Sequence, residues 1–257
     1  MSGHVRSERQ GRLLLVSLAN PGKLNAMSFA MWRELRQTFL DIAQDTSLRC
    51  VILRGEGGQF CAGGDIAEYP DFRFSEEGLR NFHETEVWGG LQAVLACDLP
   101  VVAQIEGNCM GAGLEIASCC DLRIAGASAR FGAPIAKLGF PMAPREIALV
   151  SAQIGPTMAR ELLLEAATLG AQRLFQAGFL SRVVADDKVA EEAMATTDRI
   201  GLLSAQAARL NKRTLRALQA GHTADQLARD PAAYAWADSP EHREGILAFL
   251  EKRKPEF

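Results

Sequence analysis

Glu115 is the side chain of this chain best placed by its neighbours to move a proton. The run Ile105 to Asp121 reads I-E-G-N-C-M-G-A-G-L-E-I-A-S-C-C-D. It spends three glycines, Gly107, Gly111 and Gly113, between two apolar stretches, Pro100 to Ile105 and Leu114 to Cys120. The first stretch reads as a buried strand and the second as an interior helix with Glu115 in its first turn. A strand, a glycine-rich turn and a helix start leave backbone N–H groups free and pointing outward. Such donors suit a negative charge that develops on a substrate oxygen. A carboxylate in a first helical turn is favoured by the helix dipole and tends to stay ionised. The stretch therefore fits an anion-stabilising backbone pocket with a base beside it. It also fits a packing role, in which the glycines allow close approach and Glu115 only complements the dipole.

The elements that must position this pocket follow from the flanking sequence. Leu13 to Leu18 is a short apolar strand ending in the turn Ala19-Asn20-Pro21-Gly22. Ser28 is an N-cap for a helix whose apolar residues Met31, Leu35 and Phe39 recur at helical spacing. Cys50 to Leu53 is a second buried strand, and it opens into a second glycine-rich loop, Arg54 to Asp65, R-G-E-G-G-Q-F-C-A-G-G-D. Strands alternating with helices predict an α/β fold with right-handed crossovers. Residues 66–90 are more polar, are interrupted by Pro70, Gly78 and Gly89-Gly90, and read as a mobile segment plus a helix near the site. Leu122 to Ala125 is another strand, Glu146 to Ile154 and Met158 to Leu164 are helical, and Gly178 to Val184 is a turn and short strand. From Asp187 onward the pattern is almost wholly helical, closing with an amphipathic helix over Glu241 to Arg253 that carries Ile246, Phe249 and Leu250 on one face.

Composition removes several function classes. The 257 residues are 48% hydrophobic and 23% charged, which is enough for a substantial core in one large domain. A net charge of -3 and the lack of a dense Lys/Arg run argue against nucleic-acid binding. The four histidines are scattered without metal-ligand spacing, so no metal is predicted. The six cysteines sit in apolar or small-residue surroundings without a C-x-x-C pair and read as reduced core thiols. No run approaches a membrane span, and the expectation is a soluble, cytoplasmic protein that does not bind membranes. Dinucleotide binding fails on spacing, because Gly107, Gly111 and Gly113 do not form G-x-G-x-x-G.

The two glycine loops together resemble the crotonase family, the enoyl-CoA hydratases and isomerases. Phe60-Cys61-Ala62-Gly63-Gly64-Asp65-Ile66 is similar to one family loop, and Ile105-Glu106-Gly107 through Glu115 and Cys120-Asp121 to the other. Asn20-Pro21 with Leu24-Asn25-Ala26-Met27, Phe131-Gly132-x-Pro134 with Leu138-Gly139, and Asp238 to Lys254 resemble three further elements in the right order. The resemblance implies a crotonase-like spiral of ββα units over residues 1–190 and a helical trimerisation region over 191–257, giving a homotrimer or a dimer of trimers. It implies an acyl-CoA substrate, with coenzyme A as part of that substrate and no separate cofactor, and a place in fatty acid metabolism. The N–H groups of Ala62 and Ala112 would form the oxyanion hole, with Glu115 as general base or acid. Leu24, Ala26, Ala62, Gly63, Asp65, Ile66 and Gly111 would line the CoA path, and Phe249 and Lys252 would reach CoA on a neighbouring subunit.

The chain departs from the hydratase pattern at one position. Where the hydratases carry a second glutamate after Phe131-Gly132-Ala133-Pro134, this chain has Ile135, which neither takes nor gives a proton. The family's next glycine run is replaced by Pro141-Met142-Ala143-Pro144-Arg145-Glu146. Glu146 there is a candidate extra acid, although a helix start with Pro144 at N1 accounts for it first. Glu84 and Glu86, on the segment read as mobile, either swing toward the pocket or form a solvated face. The expected activity is hydration or double-bond shift of an enoyl-CoA through a stabilised enolate, with Ile135 favouring proton abstraction over water addition. A catalytically impaired acyl-CoA-binding protein, or a crotonase-family enzyme of other chemistry, is the alternative.

Overall fold

Strands made of continuous apolar residues must be covered on both faces, and helices with one apolar stripe supply the cover. The structure, a computed structural model, describes residues 2–257. Its strands are β1 (His4–Gln10), β2 (Leu13–Ala19), β3 (Cys50–Gly55), β4 (Val101–Ile105), β5 (Asn108–Met110), β6 (Leu122–Gly126), β7 (Arg130–Gly132), β8 (Thr168–Gly170) and β9 (Arg182–Val184). They form a six-stranded sheet of order β1-β2-β3-β4-β6-β9 and a three-stranded sheet of order β5-β7-β8. In the large sheet only β1 and β2 are antiparallel.

The helices are α1 (Phe29–Gln44), α2 (Glu76–Asn81), α3 (Trp88–Ala96), α4 (Ala112–Cys119), α5 (Pro144–Ile154), α6 (Pro156–Leu164), α7 (Ala171–Gln176), α8 (Val189–Gly201), α9 (Ala205–Gln219), α10 (Ala224–Ala228) and α11 (Pro240–Leu250). The chain steps from β4 in the large sheet to β5 in the small one and then into α4; it repeats the step with β6, β7 and α5. This is the ββα spiral that the loops imply. Alternate residues of the parallel strands face opposite ways. Val16, Val51, Leu53, Val101 and Ala103 enter the main core with α1, α3 and α4. Leu15, Ile52, Val102 and Ile124 pack beneath Val189 and Ala193 of α8. All six cysteines are buried and free.

The structure corrects several sequence expectations. β1 is absent from the sequence reading because His4–Gln10 is polar and mostly exposed; it is an edge strand held by backbone pairing to β2. Helices α4, α5 and α6 each begin two residues earlier than the apolar pattern indicates, and α11 spans Pro240–Leu250 rather than running on to Arg253. Ser28 caps α1 as its type predicts, its Oγ accepting from the Met31 N–H at 3.2 Å.

Residues 66–90 are not a loose segment. They form a 3₁₀ helix (Ile66–Asp71), α2, a π-helical turn (Phe82–Val87) and the start of α3. Phe29, Tyr69, Phe72 and Phe82 pack there as an aromatic cluster. Gly89 and Gly90 do not break the chain; they lie inside α3. Gly90 is there because α3 crosses α1 closely: a Cβ on Gly90 would lie 2.9 Å from Cε3 of the buried Trp32 and 3.2 Å from its carbonyl oxygen. A Cβ on Gly89 would meet only the flexible Arg36 side chain, at 3.4 Å.

That difference gives a test of the packing. Replacing a mid-helix glycine by alanine should gain about 0.5–1 kcal/mol in backbone terms, whereas overpacking costs about 1–3 kcal/mol. Gly89→Ala is expected to hold or raise the melting temperature, and Gly90→Ala to lower it. Equal effects in a thermal melt would contradict the close α1–α3 contact.

Candidate active site

The two glycine loops meet through a parallel bridge between Cys61 and Cys109. The Cys61 N–H donates to Asn108 O at 2.8 Å, and the Met110 N–H donates to Cys61 O at 2.9 Å. Gly113 makes this approach possible, since a Cβ there would lie 2.6 Å from the Cys61 carbonyl oxygen. The first loop is tied on its other side to residues 20–27. Met27 donates to Gly63 O and Asp65 to Met27 O, each at 2.8 Å. The Asn25 side chain clamps the carbonyls of Glu56 and Gln59.

This stitching decides which N–H groups are free. The Ala62 N–H donates to Leu24 O at 3.0 Å, so it is already occupied. The assignment of Ala62 as an oxyanion donor is therefore corrected: Ala62 contributes wall, and among the described residues the N–H groups of Gly63 and Gly64 after it have no acceptor. Among the described residues the N–H groups of Gly64 and Ala112 have no acceptor, and both residues line one cavity. Ala112 is the first residue of α4, where the intrahelical ladder leaves N–H groups open. A Cβ on Gly64 would fall 2.1 Å from the Tyr69 hydroxyl oxygen, so a side chain there requires the Tyr69 ring to move.

Glu115 lines the same cavity and is buried. Its carboxyl is raised well above the ordinary carboxylate range, first by burial and then by the negative charge of Glu146. Burial and Glu146 act against the α4 dipole, which the sequence reading takes to favour the anion. Glu146, buried at 3% exposure, also faces this cavity. It does serve the start of α5, accepting from the Ala143 N–H at 3.3 Å. Its other oxygen lies 2.7 Å from Nδ1 of His83, a third member of the cavity wall. Glu146 therefore brings a second carboxyl group to the cavity wall besides serving the helix start.

Glu84 and Glu86 do not enter. Glu86 is buried in a two-point pair with Arg33, both contacts at 2.8 Å, and Glu84 pairs with Arg145 at 3.1 Å. The cavity brings together Ala62, Gly63, Ile66, Gly111, Ala112, Glu115 and Glu146 from the predicted set. Leu24, Ala26 and Asp65 lie outside its lining: Leu24 is exposed, the Ala26 carbonyl accepts from Asn20, and Asp65 holds Lys23 at 2.6 Å. Phe249, at 82% exposure, and Lys252, beyond the end of α11, do not line it either.

The sequence reading missed His83, Tyr69 and Arg73. His83 rides on the π-helical turn, whose extra residue per turn moves it off any regular helical stripe. The turn buries Phe82, Glu86 and Val87 and exposes Glu84 and Thr85, and nothing in the residue types alone singles out His83. Tyr69 faces the cavity from the 3₁₀ helix, and burial pushes its phenol up to about 12. Among the described residues, no group of three or more His, Cys, Asp and Glu is placed to hold a metal, and no helix is long and apolar enough to cross a membrane.

Comparison with known proteins bears on the family and the fold. The family model for enoyl-CoA hydratase/isomerase matches residues 8–257. The chain is 32% identical over 255 residues to the 2,3-dehydroadipyl-CoA hydratase of Escherichia coli (strain K12), covering 97% of this chain and 96% of the relative. Among solved structures, an enoyl-CoA hydratase/carnithine racemase from Magnetospirillum magneticum superposes with TM-score 0.93 at 36% identity, covering 98% of this chain and 94% of that one. AtuE from Pseudomonas aeruginosa superposes with TM-score 0.91 at 33% identity, covering 98% of each chain.

The buried acid has a consequence for stability. A carboxyl whose pKa is higher folded than unfolded binds its proton more tightly in the native state. The stability it contributes is complete below the unfolded value, 4.5, and is lost as pH rises through the folded value. Glu115→Gln does not titrate. The melting temperature of that variant minus wild type should therefore increase as pH rises above about 5. Parallel curves from pH 5 to 9 would contradict the burial and the Glu146 charge as causes.

Proposed function

The chain belongs to the enoyl-CoA hydratase/isomerase family, and on that premise we propose that it hydrates a 2-enoyl-CoA thioester. The observation that carries the proposal is the meeting of two free backbone donors with two buried carboxyl groups in one cavity. The thioester oxygen sits against the N–H groups of Gly64 and Ala112. They stabilise the enolate that forms when a nucleophile adds to the β-carbon. One such donor is worth about 3–4 kcal/mol of transition-state stabilisation. No further cofactor takes part in this reading; coenzyme A belongs to the substrate.

The two carboxyl groups divide the proton traffic because their surroundings separate them. Glu146 is the negative neighbour that raises Glu115. Glu146, oriented by His83, takes a proton from the attacking water. Glu115, held in its acid form, gives its proton to the α-carbon. The water oxygen ends on the β-carbon, and the proton gained by the Glu146–His83 pair returns to Glu115 for the next cycle. A double-bond shift is the second reading, and Ile135 favours it: its side chain adds apolar surface to the cavity where water would be held. That reaction needs only one group moving a proton beside the same stabilised enolate.

The proposal extends to assembly as a homotrimer or a dimer of trimers. Ile246, Leu247, Phe249 and Leu250 of α11 are all more than half exposed or at half exposure, from 50% to 82%. Within the chain only Ala248 of this helix is buried. A contiguous apolar surface of this kind is what a subunit contact covers.

Steady-state assays with crotonyl-CoA and longer enoyl-CoA esters test the function. Wild type should add water, and Glu115→Gln should lose about 10²- to 10⁴-fold in kcat with thioester binding retained. Glu146→Gln should lose hydration while keeping exchange of α-protons with deuterated solvent. Full hydratase activity in either variant would overturn the division of roles; shifted double bonds without hydrated product would establish the second reading.

A further inference from the structure

The cavity holds one cation that the reaction above does not use. Arg73 follows the 3₁₀ helix, is half-buried, and lines the same cavity as Glu115. Its Cζ lies 4.4 Å from the centroid of the Tyr69 ring and 3.9 Å from that of Phe140. The two rings themselves touch edge to face, with centroids 6.0 Å apart. A guanidinium held between two aromatic rings is fixed in place. The contacts are with ring faces, which leave its five N–H donors unbonded.

Those donors have no other use in the protein. Among the described residues the Arg73 side chain makes no salt bridge and no hydrogen bond, whereas the arginines at 33, 145, 173, 213 and 216 are each paired with a carboxylate. Arg73 is not the counter-ion of the buried acids either. Glu146 pairs with His83, and the surroundings of Glu115 contain no cation that lowers its carboxyl. A half-buried guanidinium held between two rings, with no carboxylate of its own, keeps its N–H fork open to an anionic group in two-point contact.

We infer that Arg73, clamped by Tyr69 and Phe140, is the receptor for an anionic group at the far end of the acyl chain, so that the substrate is an ω-carboxyacyl-CoA thioester. This rests on the thioester reading above. The group belongs to the acyl half because Arg73 shares a chamber with Glu115, and Glu115 acts on acyl carbons. The other source of the same chemistry is a phosphate of coenzyme A. The apolar side chains of Ile135, Leu138 and Phe140 line the chamber with Arg73. They cover the methylenes of such a chain while the guanidinium takes its terminal carboxylate.

Calorimetric titration with saturated acyl-CoA esters of four to eight carbons, with and without a terminal carboxylate, tests this without turnover. At the chain length that spans the chamber, wild type should bind the carboxylated ester about 10- to 100-fold more tightly than its methyl-ended partner, the range expected for a charged hydrogen-bonded pair. Arg73→Met should erase that preference and leave the methyl-ended ester unchanged, while Arg73→Lys should retain part of it. Absence of a preference at every length, with methyl-ended esters still binding, overturns this inference alone. Equal weakening of both esters and of free coenzyme A by Arg73→Met overturns it in favour of a CoA phosphate. Failure of wild type to bind any of the esters overturns it together with the thioester reading.

Discussion

The site depends on how closely the backbone at Cys61 can approach the first turn of α4. Gly113 permits that approach, and the bridge between Cys61 and Cys109 fixes its register. Every functional feature of the cavity is downstream of this contact. It carries the Gly64 N–H and the Ala112 N–H into one space, and it sets Glu115 one helical turn behind them. The donors are main chain, so no side-chain entropy is lost when they meet a substrate oxygen. The ties from residues 20–27 hold the first loop from its other side, and they also decide which donor is left over, because Leu24 O takes the Ala62 N–H.

Burying two carboxyl groups beside each other is unfavourable for folding, and the protein keeps both. Glu146 is satisfied by the Ala143 N–H and by His83. Burial and the Glu146 charge both raise the Glu115 carboxyl. The burial that costs stability is also what raises Glu115 toward the acid role proposed for it. The aromatic cluster and the π-helical turn that carries His83 pack around this pair.

Much of this was legible in the residues, for definite reasons. Strands of a parallel sheet are apolar on both faces, so β2, β3, β4 and β6 stand out as continuous runs. Three closely spaced glycines followed by an apolar helix announce the turn before α4, and Ser28 announces α1. What the sequence hides depends on partners distant along the chain. Ala62 and Gly64 look alike as donors until the Leu24 carbonyl is seen to occupy one of them. Glu146 satisfies a local rule for helix starts, and that rule masks its second contact with His83 across 63 residues. His83 itself sits on a turn whose spacing breaks the 3.6-residue period by which helical faces are read. β1 escapes notice because a polar edge strand carries its pairing in the backbone alone.

The central claim is that the Gly64 and Ala112 N–H groups polarise a thioester carbonyl. Infrared difference spectroscopy of a saturated acyl-CoA labelled with ¹³C at the thioester carbonyl measures this directly. Two donors at the oxygen lengthen the C=O bond, so the account predicts that the labelled band moves to lower wavenumber on binding. It predicts the same displacement in Glu115→Gln, whose backbone is unchanged. A bound thioester whose carbonyl band stays at its solution position would contradict the account.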